Sequence, residues 1–159
     1  MLYDIEVHSV EGIKRYFDEG GDPNEINNGM PLLTMMVEMY MRSPRFKDCV
    51  QAFIDYGLVF EDKALLAVLT DDTEKLEVLI KADQTIVYKT YHLFNNTYTP
   101  LIGGTLLHFV LNTTAFPAQK YFYSMEPMLM QKPLWITMAL EGIHRSFIQL
   151  IKMAIILQL

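Results

Sequence analysis

Before residue 110 the apolar positions recur with the period of a helix. Val10, Ile13, Tyr16 and Phe17 share one helical face, and Ser9 stands ahead of them as an N-cap. A helix is therefore predicted over Val10 to Glu19, and Tyr3 to Val10 allow a shorter one before it. Gly20 ends the segment, since the residue after a helix often takes a positive φ. Pro31 suits the first turn of the next helix, whose stripe is Leu32, Leu33, Met36, Val37 and Tyr40. Ser43-Pro44 breaks it. Phe46 to Tyr56 repeats the pattern, with Val50, Phe53 and Ile54 inward and Gly57 as the closing cap. Lys63 to Leu69 and Thr73 to Lys81 make a third pair, in which Leu65, Leu66 and Leu69 face Leu76, Leu79 and Ile80. Asp71-Asp72 joins them, and Asp72 is the predicted N-cap. Gln84 to Gly103 reads differently. Ile86, Val87, Tyr88, Tyr91 and Tyr98 predict an extended insertion with a short strand-like segment and a turn at Asn95-Asn96.

Two motifs punctuate these helices. Gly20-Gly21-Asp22-Pro23-Asn24 resembles the G-A-D-x-N turn of the ankyrin repeat family, and Gly104-Thr105-Leu106-Leu107-His108 resembles its G-x-T-P-L-H helix opening. The resemblance covers Val10 to Phe109 and is best at these two places. Elsewhere the pattern loosens: Gly21 stands where alanine is usual, Gly29 is one place late, Met30 replaces threonine and Leu33 replaces histidine. Leu58, Val59 and Phe60 replace polar turn residues, and the third pair lacks its hairpin. The resemblance implies an all-α, helix-turn-helix solenoid over residues 1–109, with about three degenerate repeats and an irregular insertion at 84–103. In it Glu25 to Met30 is a finger-like hairpin, Thr105 caps a helix and His108 bridges repeats. Gly20, Pro31, Gly57, Thr105 and His108 are the expected structural positions.

The pattern stops after Phe109. Pro117, Pro127 and Pro133 fall at spacings that argue against a helix pair, and methionine crowds Val110 to Leu159. The genetic code offers a test. A new codon built from the last base of one residue and the first two bases of the next turns Met125-Glu126 into a forced glycine. The following residues then permit Gly-Ala-Asp-Val-Asn-Ala, and His144 to Ile148 permit Thr-Pro-Ile-Phe-His. The expectation is that residues 110–159 are an out-of-frame translation of further repeats. The alternative is a divergent helical cap over residues 135–157, with Ile143, Phe147, Leu150, Ile151, Ala154 and Ile155 on one stripe. That apolar tail is also a candidate for self-association.

Composition narrows the function. The formal net charge is −6, and no Lys/Arg cluster forms a phosphate-binding face, which argues against nucleic acid. A single cysteine, Cys49, excludes an intrachain disulfide and fits a reducing compartment. The start of the chain, Met1 to Glu6, lacks the regions of a signal peptide, and no run is long enough to span a membrane, so a cytoplasmic protein is expected. His8, His92 and His144 show no metal-type spacing, and Gly103-Gly104 lacks a phosphate-loop lysine. Cys49, Asp71-Asp72, Glu61-Asp62 and the methionines from Met35 to Met41 read as core or solvated turn residues. No catalytic residue, metal or cofactor is expected.

The leading expectation is thus a non-enzymatic scaffold that binds another protein, a basic one given the acidic balance. By the resemblance its contact residues are Asp22, Asn24, Glu25, Asn27, Asn28, Glu61, Asp62, Tyr88 and Tyr91. A small inhibitor, immunity-type protein or enzyme using the 84–103 insertion as a pocket wall is one alternative. A non-functional frameshift product is the other.

Overall fold

A computed structural model describes residues 1–39, 43–93, 102–112 and 116–125 of the chain. Two compact units divide it, Met1–Phe122 and Tyr123–Leu159. Of the second, only residues 123–125 are among those described. The described chain is all-α apart from one small ribbon. In order it forms α1 (Leu2–Glu6), α2 (Val10–Asp18), β1 (Ile26–Asn27), β2 (Met30–Pro31), α3 (Leu32–Glu38), α4 (Phe46–Asp55), α5 (Lys63–Leu69), α6 (Thr73–Ala82), a 3-10 helix (Gln84–Tyr88), α7 (Leu106–Asn112) and α8 (Phe116–Ser124). The strands pair antiparallel, Ile26 with Pro31 and Asn27 with Met30.

Three helices, α2, α5 and α6, start on a side-chain oxygen that takes a backbone amide left over at the first turn. Ser9 accepts from Gly12, Asp62 from Leu65 and Asp72 from Lys75, at 3.1, 2.8 and 3.0 Å. Each such cap stabilises its helix by about 1 kcal/mol. Helix ends are set by glycine: Gly20 and Gly57 take φ of 96° and 97°, where a side chain would be strained. The first unit has its most buried element in α5, in which every residue from Ala64 to Leu69 is buried. A helix apolar on all sides must be covered on all sides, and α5 packs against both α6 and α7. Nearer the N-terminus α1 packs on α2 and α3, and α2 packs on α4. The Phe17 ring meets Phe53 edge-on at 5.0 Å in that last contact. Cys49 lies in the same core, where burial pushes its thiol up to about 11. It stays protonated and unreactive at neutral pH.

Four expectations change. Pro31 lies one residue outside α3, in β2, because its extended ψ of 141° serves the ribbon rather than a helical turn. Gln84 to Tyr88 is a 3-10 helix and not extended: the Asp83 carboxylate takes both the Thr85 amide (2.8 Å) and hydroxyl (2.7 Å), a turn that overrides the β-branched residues. Among the described residues of the insertion the strand-like part is Tyr91, which bridges Gly104 antiparallel. Pro117 does not prevent a helix pair. It falls in the first turn of α8, where a missing amide costs nothing. The first unit accordingly continues beyond Phe109 and buries Val110, Ala118 and Phe122. Tyr40, Tyr98, the turn at Asn95-Asn96 and the apolar stripe at 135–157 lie outside the described residues.

Candidate functional site

The G-G-D-P-N turn is stitched to the next turn by one side chain. Asp22 accepts the Asn24 backbone amide at 2.8 Å and orients the residue. The Asn24 side chain then donates to the Gly57 carbonyl at 3.1 Å and accepts from the Val59 amide at 2.8 Å. Both polar ends of the amide are used, so it fixes the spacing between two turns far apart in sequence. Tyr56 adds a second tie by donating to Asp18 at 2.5 Å. Tyr16 donates to Glu25, and Gly21 makes room for it: a Cβ there would lie 2.2 Å from the Tyr16 ring. Glycine at position 21 thus has a steric cause.

This stitching leaves two large apolar side chains in water. Ile26, on the ribbon, is 65% exposed and Val59, on the next turn, is 76% exposed. Carboxylates flank them, with Asp22 and Glu61 exposed and Glu25 half-buried. Behind Val59 runs an open cleft of about 510 Å³, walled by residues 59–62 on one side and 89–93 on the other. Leu93 at its rim is a third exposed apolar residue.

Asp62 holds the two walls together. Its Oδ2 pairs with Lys89 Nζ at 2.5 Å, and the Tyr91 hydroxyl lies 3.5 Å from Oδ1. Lys89 also sits over the Tyr91 ring, 5.2 Å from its centre. Burial pushes the Asp62 carboxyl up. The Lys89 ammonium, the Leu65 amide and the Tyr91 hydroxyl outweigh it and hold the group below the usual carboxylate range. Burial, then the Asp62 charge, push the Tyr91 phenol well above its ordinary value.

The contact residues expected from the sequence therefore divide. Asp22, Asn28 and Glu61 are exposed, and Glu25, Asn27 and Tyr88 are half-buried. Asn24 is exposed, but its side-chain amide is spent on the neighbouring turn. Asp62 is a helix cap and ion-pair partner rather than a solvated turn charge, because its carboxylate lies over the start of α5. Tyr91 is corrected most: it is only 4% exposed, its ring edge against Phe109 at 5.5 Å, so it supports the cleft floor and offers no contact surface. Val59, one of three apolar residues standing in place of polar turn residues, is exposed, and Ile26 is not marked by the sequence pattern.

Thr105 and His108 form a buried pair at the start of α7. The Thr105 carbonyl accepts from the His108 amide at 2.9 Å and begins α7. In return His108 Nδ1 accepts the Thr105 amide at 2.9 Å and lies 3.1 Å from its hydroxyl. Burial holds the imidazole below its ordinary pKa, so it is neutral at pH 7. Among the described residues no cluster of His, Cys, Asp or Glu has metal-binding geometry, and no helix is long and apolar enough to cross a membrane. Comparison with protein-family models, with curated proteins and with solved structures returned no match.

Proposed function

We propose that the chain is a non-enzymatic binding module for another protein, built as an ankyrin-type array of helix pairs. One observation carries the reading: Ile26 and Val59 stand exposed on successive turns whose spacing Asn24 fixes, with acidic groups beside them. Aliphatic side chains presented on segments already tied together lose less entropy when a partner covers them. The packing of α1 on α3, α2 on α4 and α5 on α7 supports a stacked arrangement of pairs. The surrounding carboxylates favour a partner with basic residues at the rim. The open form of the cleft beside Asp62 supports a scaffold over an enzyme, whose substrate pocket would enclose its ligand. A cytoplasmic setting suits the buried free thiol of Cys49. The test is affinity capture with the wild-type chain and with an Ile26→Asp, Val59→Asp double variant of matched thermal stability. A partner retained by the first and lost by the second supports the reading. Identical capture by both overturns it.

A second reading concerns residues 110–159 and rests on the shifted codons, which permit two ankyrin motifs in order where the given frame has none. It is compatible with the Asp71 contact to α8, since Asp71 accepts the backbone amide of Ala118 at 3.2 Å and any residue but proline supplies that donor. Resequencing the coding DNA from Leu107 to Glu126 tests it. A missing or extra base near Phe109 supports the reading, and an intact frame overturns it.

A further inference from the structure

Three asparagines stand at the first turn and ribbon, and the fold treats them differently. The Asn24 side chain is pinned at both ends by Gly57 and Val59. The Asn27 side-chain oxygen is buried, and Asn28 follows it. Asn28 is exposed and is followed by Gly29, also exposed. Among the described residues neither the Asn28 side chain nor the Gly29 amide has a hydrogen-bond partner. Both residues form the tip of the β1–β2 ribbon, with φ of 49° and 81°. Nothing lies within 4 Å of the place a Gly29 side chain would occupy.

We propose that Asn28 is a site of spontaneous covalent modification, converting to aspartate and isoaspartate through attack by the Gly29 amide. The Gly29 nitrogen loses its proton and bonds to the Asn28 side-chain carbonyl carbon. The carbon–nitrogen bond of the side-chain amide breaks, and ammonia leaves. The cyclic imide that results is opened by water at either carbonyl. One opening restores the normal backbone with an aspartate side chain. The other routes the backbone through the former side chain and leaves a free α-carboxylate. The net change is one water consumed and one ammonia released, with no oxidant or enzyme required. Glycine at position 29 matters because the attacking nitrogen then has no neighbouring side chain to shield it.

Either product adds a negative charge to the tip that also carries Ile26. The isoaspartyl form further lengthens the backbone of a two-residue loop, so the pairing of Asn27 with Met30 has to give way. The proposal stands apart from the binding reading, and its test needs no partner.

The full chain is held in mildly alkaline buffer and sampled by peptide mapping with fragmentation that separates aspartate from isoaspartate. A parallel sample is unfolded in urea. The expected result is conversion at Asn28 in the folded chain, with isoaspartate as the larger product, Asn24 and Asn27 unchanged, and loss of the signal in Asn28→Gln. Conversion of Asn28 only in the unfolded sample, or of Asn24 at the same rate in the folded one, overturns the proposal. The site-by-site comparison within the wild-type chain decides the matter even where the variant is unstable.

Discussion

The side-chain oxygen of Asn24 accepts the backbone amide of Val59 at 2.8 Å, while its nitrogen donates to the carbonyl two residues earlier. A single amide therefore sets how far apart two turns stand. Asn24→Ala removes these two bonds and the 3.3 Å bond from the same nitrogen to Asp22, and is expected to cost about 1–2 kcal/mol. Asn24→Asp keeps the acceptor for Val59 but sets a carboxylate oxygen against the Gly57 carbonyl and the Asp22 carboxylate, so it is expected to cost at least as much as alanine. Urea denaturation midpoints at constant m-value check the order.

Gly21 and Tyr16 form a second testable pair. A methyl group at position 21 would lie 2.2 Å from the Tyr16 ring, which is held in place by its bond to Glu25. Gly21→Ala is expected to destabilise by about 1–3 kcal/mol. In a Tyr16→Ala background the same change is expected to be nearly neutral. A double-mutant cycle reads the coupling directly. Equal costs in both backgrounds would contradict the steric account.

Two half-buried carboxylates, Asp62 and Asp71, are expected to respond to pH in opposite senses. Asp62 has its pKa depressed, so its contribution to stability is present above the ordinary carboxylate range and is lost as pH falls through the folded value. Asp71 has its pKa raised, by burial first, against the Ala118 amide and the Lys47 charge. Its ionised form is penalised in the fold, so stability is gained as pH falls through that raised value. Asp62→Asn should therefore lower the denaturation midpoint at neutral pH and have little effect in strong acid. Asp71→Asn keeps an acceptor for Ala118 and tolerates the observed φ of 56°, so it should raise the midpoint at neutral pH. Midpoints followed from neutral to acid pH distinguish the two.

His108 adds its own acid sensitivity. Its folded pKa is depressed by burial, so the unfolded chain binds the proton first. Stability is expected to begin falling near the ordinary imidazole pKa and to keep falling until the folded value is passed. His108→Gln should flatten that part of the profile, which thermal unfolding at stepped pH would show.

Much of the fold was legible in the sequence because short-range chemistry decides it. Ser9 and Asp72 read as caps since each precedes an amphipathic run, and Gly20 and Gly57 read as helix ends since each follows one. The bounds of α5 were legible to the residue because its apolar run is bracketed by charged residues, Glu61-Asp62 before it and Asp71-Asp72 after it. Asp62 reads as a solvated charge in the sequence although it stands three residues before Leu65, the spacing of a cap. Its pairing with Lys89 was not legible at all, because that contact is made across a fold of 27 residues. Tyr91 misled through its type: an aromatic residue in a polar insertion suits a contact surface, and only the position of Phe109 shows that it is buried. The exposed pair Ile26 and Val59 required the Asn24 stitch to be seen, since their row exists only once the turns are in register.

On the proposed reading a partner covers Ile26 and Val59. The most direct measurement places a photoreactive residue at Val59, and separately at the exposed Val78 on α6, and compares the adducts formed in the cell of origin. The account predicts one defined protein joined at position 59 and absent at position 78, with the yield falling as salt is raised. The same adducts from both positions, or none from position 59, would contradict it.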